Sequence, residues 1–175
     1  MILKLKQTPG IYLVGFMASG KTTVGERLAD ELGWTFADMD NDIVKEQGRS
    51  IVDLFDTGGE PAFREIEAAC LKKRVRLIQS GRPMVLALGG GAFAEMGNYQ
   101  LLHENGVSIW LDCPLELVKA RVAGNADRPL ARDPERFEAL YHLRRQFYQK
   151  ADYRVEITDN DPSRAVMRIL ELPLF

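Results

Sequence analysis

The sequence predicts an α/β fold in which a parallel sheet is covered by helices on both faces. Five apolar runs, at 11–14, 34–37, 84–88, 107–111 and 153–157, are bounded by turn residues and separated by stretches of helical periodicity. Near-continuous apolarity is what a strand buried on both faces requires. The first run leads into Gly15-Phe16-Met17-Ala18-Ser19-Gly20-Lys21-Thr22, and helical periodicity follows at once. This is the pattern G-x-x-x-x-G-K-[ST] in the strand-to-helix context it requires. In such a sheet, ligands bind beyond the carboxyl ends of the strands.

The glycines let the backbone curl so that successive N–H groups point at an anion, and the helix from Lys21 turns its positive end to the same spot. Lys21 is positioned for the β- and γ-phosphates and the Thr22 hydroxyl for the shell of a Mg²⁺ ion. A nucleoside triphosphate with Mg²⁺ is therefore the expected ligand, and the remaining chain must supply the acceptor.

At 175 residues and 46% hydrophobic, the chain suits one domain, 1–175. Its 23 basic and 25 acidic residues nearly cancel, so no global field favours nucleic acid or an anionic membrane. The run 119–150 holds eight basic and four acidic residues; it is either solvated helix surface or the place of phosphate-facing arginines. Cys70 and Cys113 lack partners at metal-ligand spacing and are expected as buried, reduced thiols. His103 and His142 are isolated and receive no catalytic role. The N-terminal residues lack a signal-peptide pattern and no apolar run approaches membrane-spanning length. A cytoplasmic monomer is the expectation.

Along the chain, the first helix spans 21–32, with Val24, Leu28 and Leu32 on one stripe and Gly33 as its stop. Asp38 and Asp40 end the second strand, two positions apart and so on one side of an extended run. Either they serve a metal and an acceptor hydroxyl, or one caps a helix beginning near Asp42. Helices at 50–56 and 60–80 follow, divided by Gly58-Gly59, with Ser50 as N-cap. Arg64 and Glu67 share a helix face. They form either a surface pair or a guanidinium held ready for an anion. Phe55 and Phe63 are core residues or a pocket wall. Gly89-Gly90-Gly91 after the third strand leaves backbone amides bare and permits close approach of a ligand. The polar segment 124–134, with Arg128 and Arg132, is the candidate lid. A helix over 135–149 aligns Phe137, Leu140, Arg144 and Tyr148, and an arginine in that stripe must face a ligand or an acid. A final helix is expected at 163–170.

In this order the pieces resemble the shikimate kinase family. The likeness lies in the loop at 15–22, Asp38-x-Asp40, Gly59-Glu60-Pro61-Ala62-Phe63-Arg64-Glu65-Ile66-Glu67, the glycine triplet, Arg128-Pro129-Leu130, and Arg144 four residues before Tyr148. It covers about 10–171. It implies a P-loop kinase fold, nucleoside monophosphate kinase-like, with a five-stranded parallel core sheet and a mobile lid. It also implies transfer of the ATP γ-phosphoryl group to the 3-hydroxyl of shikimate, in aromatic amino acid biosynthesis.

By that resemblance, Gly15, Ala18, Ser19, Gly20, Lys21, Thr22 and Thr23 hold ATP, with Arg121 against the adenine. Thr22 and Asp38 serve Mg²⁺. The shikimate region is about 40–80. Asp40 takes the acceptor hydroxyls and is the candidate base, while Arg64, Arg144 and the backbone of Gly89, Gly90 and Gly91 hold the acid. Lys21, Asp40 and Arg128 form the catalytic set, and Arg128 descends with the lid onto the transferring phosphate. Ala87 replaces the hydroxyl or acid that many relatives place before the triplet, so one outer contact to the metal is expected to be missing. Gluconate kinase, another small-molecule kinase of this fold, and a regulatory nucleotide-binding module are the alternatives.

Overall fold

The computed structural model describes residues 10–123 and 133–174. Five strands, β1 (Gly10–Val14), β2 (Thr35–Asp38), β3 (Met84–Ala87), β4 (Gly106–Asp112) and β5 (Tyr153–Glu156), form one sheet in the order β2-β3-β1-β4-β5. Every pairing is parallel. The central β1 and β3 are buried throughout, which is why they are apolar without alternation.

The helices are α1 (Lys21–Leu32), α2 (Met39–Gln47), α3 (Ile51–Gln79), α4 (Met96–Asn105), α5 (Leu115–Ala123), α6 (Pro134–Tyr148) and α7 (Pro162–Leu170). From β1 the chain crosses past β3 to β2, whereas from β3 it crosses the other way, to β4. Because parallel crossovers are right-handed, α1 and the β3–β4 connection lie on opposite faces of the sheet. The packing agrees: α1 rests on α7, and α3 rests on α2 and α4. The strand order thus reverses between β1 and β3, and a crevice opens beyond their carboxyl ends. The phosphate loop leaves one of those ends and the glycine triplet the other.

Several local expectations are met at their residues. α1 has the expected bounds, and Gly33, at φ +65°, ends it. Ser50 Oγ caps α3 by accepting from Asp53 N at 3.1 Å. Within α3, Gly59 sits at the non-helical φ +77°, ψ +173°, so the two expected helical pieces meet at a kink. Glycine carries that conformation without a Cβ penalty.

Two expectations change. β2 ends at Asp38, and the chain is helical from Met39. Asp40 therefore lies in the first turn of α2, not on an extended run, and the argument from strand alternation does not apply to it. Residues 133 and 134, counted with the lid, begin α6: Asp133 Oδ1 accepts from Arg136 N at 3.1 Å, and Pro134 takes the first helical position. Residues 124–132, including Arg128, lie outside the described residues.

Cys70 and Cys113 are buried and unbridged, and His103 and His142 are exposed. Burial raises both thiols' pKa values, that of Cys70 to about 11. At pH 8 only about one Cys70 in a thousand would be thiolate. A thiol reagent at pH 8 is expected to leave both groups untouched in the native protein and to titrate both in denaturant. Rapid modification of native protein would contradict that burial.

Candidate active site

The loop at 15–22 wraps the start of α1. Lys21 Nζ donates to the carbonyls of Gly15 and Phe16, each at 2.9 Å, and so lies folded along the loop. Ala18 adopts φ +59°, a left-handed conformation that costs a residue bearing a Cβ about 1–2 kcal/mol. Its carbonyl is held by Arg121 Nη1 at 2.8 Å. Arg121 also donates to Asn160 Oδ1 at 3.0 Å and to the Asp159 carbonyl at 3.1 Å. Around these groups is a cleft of about 270 Å³, walled by Ser19, Gly20 and Thr23 on one side and the 157–162 turn on the other. Sequence reasoning placed Arg121 here but missed Asp159 and Asn160. They lie between β5 and α7 without a motif, and only the α1–α7 packing brings them to the loop.

Asp38 provides the helix cap that the sequence allowed it or Asp40, and it also bonds to the phosphate loop. Its Oδ1 caps α2 through Asp40 N at 3.0 Å and Asn41 N at 3.3 Å. Its Oδ2 accepts from the Thr22 hydroxyl at 2.7 Å. Ala87 pairs across from Asp38 in the sheet and brings no polar atom.

On the other side of the crevice, the triplet makes close contacts. A Cβ on Gly89 would meet Asp40 Oδ1 at 2.8 Å and Glu67 Oε2 at 3.2 Å. One on Gly90 would meet Arg144 Nη1 at 2.8 Å, and one on Gly91 would collide with Arg64 Nη2. Four charged side chains, Asp40 from α2, Arg64 and Glu67 from α3 and Arg144 from α6, thus stand directly over the glycine backbone. Any side chain on the triplet would push them away. Tyr148 Oη donates to the Gly90 carbonyl, which fixes α6 to the turn. Burial raises the Tyr148 pKa despite the charges of Arg144 and Arg64, so the hydroxyl stays protonated. Phe63 is buried and stacks on the partly buried Phe55, with centroids 4.4 Å apart.

Arg64 Nη1 donates to Glu67 Oε1 at 2.7 Å, and Glu67 is only 1% exposed. Burial works to lower the Arg64 pKa, but the charges and hydrogen bonds of Glu67 and Glu60 outweigh it and raise it. Glu67 is raised as well: burial, joined by Asp40 and Glu95, outweighs Arg64. The arginine is thus secure in its charge, and the pair is a held guanidinium rather than a surface contact.

Next to Arg144 in α6, Arg145 ties the helix to β4. Arg145 grips both oxygens of Asp112 at the end of β4, Nη2 donating to Oδ2 at 3.2 Å, and its guanidinium lies 4.8 Å from the Trp110 ring centre. Arg154 Nε donates to the same Asp112 oxygen at 2.8 Å. Asp112→Ala is expected to cost about 2 kcal/mol in urea denaturation, less than a fully buried pair because Arg154 is half exposed. An unchanged midpoint would mean that this network does not hold α6.

Residues 17–172 match the family model described as shikimate kinase. The chain belongs to the shikimate kinase family. A shikimate kinase of Persephonella marina is 40% identical over 161 residues, covering 91% of this chain and 96% of the relative. The solved shikimate kinase of Acinetobacter baumannii, in complex with shikimate, superposes with a TM-score of 0.85 at 35% identity, over 95% of this chain and 93% of that one. The shikimate kinase of Aquifex aeolicus gives 0.79 at 33% identity, over 92% and 94%. The five-stranded parallel sheet is thus that of a P-loop kinase, and the chain is a kinase of the shikimate kinase family.

Proposed function

We propose that the chain transfers the γ-phosphoryl group of ATP to the 3-hydroxyl of shikimate, giving shikimate 3-phosphate and ADP, as a step of aromatic amino acid biosynthesis. The seating of Asp40, Arg144 and Arg64 over Gly89, Gly90 and Gly91, one strand away from the phosphate loop, carries this reading. Two arginines suit a carboxylate, each through parallel N–H donors, and an aspartate suits a ring hydroxyl. Asp40 takes the hydroxyl proton as the phosphoryl group moves. Lys21 leaves its loop carbonyls for the β- and γ-phosphates, and the amides of Gly15, Ala18, Ser19, Gly20, Thr22 and Thr23 close around them. Arg121 lies against the adenine in the cleft beside Asn160, and Arg128 meets the transferring group.

Mg²⁺ fits the donors present. It needs only one or two protein oxygens beside phosphate and water, and the Thr22 hydroxyl and an Asp38 carboxylate oxygen lie together at 2.7 Å next to the loop. When bound, it would draw off charge from the phosphate oxygens. No helix among the described residues is long and apolar enough to cross a membrane, and the enzyme is read as a cytoplasmic, single-domain monomer.

Coupled ADP release with Mg-ATP tests the reading, comparing shikimate, gluconate, a nucleoside monophosphate and no acceptor. Turnover with shikimate alone is the expected result. Turnover only with another acceptor would keep the kinase and discard the arginine clamp.

A further inference from the structure

One carboxylate on the acceptor side has no part in the proposed chemistry. Glu95 is the N-cap of α4, where Ser, Thr, Asp or Asn usually accepts bonds from the first helical amides, yet its side chain caps nothing. Its Oε1 lies 3.8 Å from Arg64 Nε instead. That nitrogen is buried without a hydrogen-bond partner. The two other nitrogens of the guanidinium are engaged, Nη1 by Glu67 at 2.7 Å and Nη2 by Glu60 at 3.2 Å. The open donor of the arginine thus faces a carboxylate that approaches it without bonding to it.

We propose that Glu95 is an internal competitor for Arg64: its carboxylate holds the side of the guanidinium that the acceptor's carboxylate must take, and so sets the acceptor's affinity. The inference rests on the acceptor reading above. Glu67 is locked in the core and orients the arginine, whereas Glu95 is 50% exposed and free to swing into solvent. An incoming carboxylate can therefore displace Glu95 but not Glu67, and it gains the Nε donor by doing so. The field of Glu95 already reaches across the site, since it adds to the upward shift of Glu67. The same charge, with Glu60 beside it, repels an acceptor bearing a second negative group near the carboxylate end. Glu95 thereby favours polyol acids with one negative charge over dianions.

The test is steady-state kinetics of Glu95→Gln and Glu95→Ala with shikimate at saturating Mg-ATP. Glu31→Gln, an exposed α1 position, serves as the control for net charge. No cap is lost in either Glu95 variant, so the fold is not put at risk. The KM for shikimate is expected to fall about two- to fivefold in both, the range of a half-exposed ion pair. The KM for Mg-ATP and the behaviour of Glu31→Gln should match the parent protein. An unchanged or raised KM for shikimate would overturn the inference while leaving the acceptor reading in place, because shikimate would still be turned over. No shikimate-dependent turnover in the parent protein would overturn both.

Discussion

Alanine in place of Arg128 is expected to lower turnover about a thousandfold, the scale on which an arginine neutralises a transferring phosphoryl group. The loose transition state of such a transfer leaves little covalent chemistry to the protein, so positioning and charge neutralisation carry the rate. Arg128 belongs to the Arg-Pro-Leu motif, and its place in the chain suits the role. Residues 124–132 join α5, whose Arg121 grips the phosphate loop, to α6, whose Arg144 stands over Gly90. Coupled ADP release at saturating substrates measures the loss, and calorimetric ATP binding, expected to persist, shows that the variant is folded. Near-normal turnover would remove Arg128 from the mechanism.

Arg64→Ala and Arg144→Ala should each weaken shikimate binding about ten- to a hundredfold and ATP binding by less than about threefold. A hydrogen bond to a charged group contributes about 1.5–3 kcal/mol, and every 1.4 kcal/mol is tenfold in affinity. The asymmetry between ligands follows from placement, since both arginines stand over the triplet, Arg144 lying in addition 5.9 Å from the ring centre of Phe16 in the loop. Arg64→Lys should recover little, because an ammonium cannot bond Glu67 and a ligand carboxylate with one planar fork. Titration calorimetry with each ligand decides the matter; equal losses for ATP and shikimate would sink the clamp.

Much of this was legible in the chain because it depends on local rules. Five apolar runs mark the five strands, the glycine and lysine spacing marks the phosphate loop, and Arg64 and Glu67 meet because residues three apart share a helix face. α4 was not anticipated: a glycine, Gly97, sits in its first turn, its N-cap residue does not cap, and it has little apolar periodicity to announce it. Asp40 was read as part of an extended run, but the cap that Asp38 provides starts the helix before Asp40 is reached.

By itself, then, the sequence determined the five strands, the helices other than α4, the phosphate loop and the identity of the charged groups, all consequences of periodicity and short spacing. Tertiary structure decided which of those groups meet. The strand order β2-β3-β1-β4-β5 puts the ends of β1 and β3 side by side although more than seventy residues separate them in the chain. It delivers Asp159 and Asn160 to Arg121 and brings Glu95 to the open side of Arg64. Such contacts leave no mark in local composition, because they arise from the handedness of crossovers and the burial of whole faces.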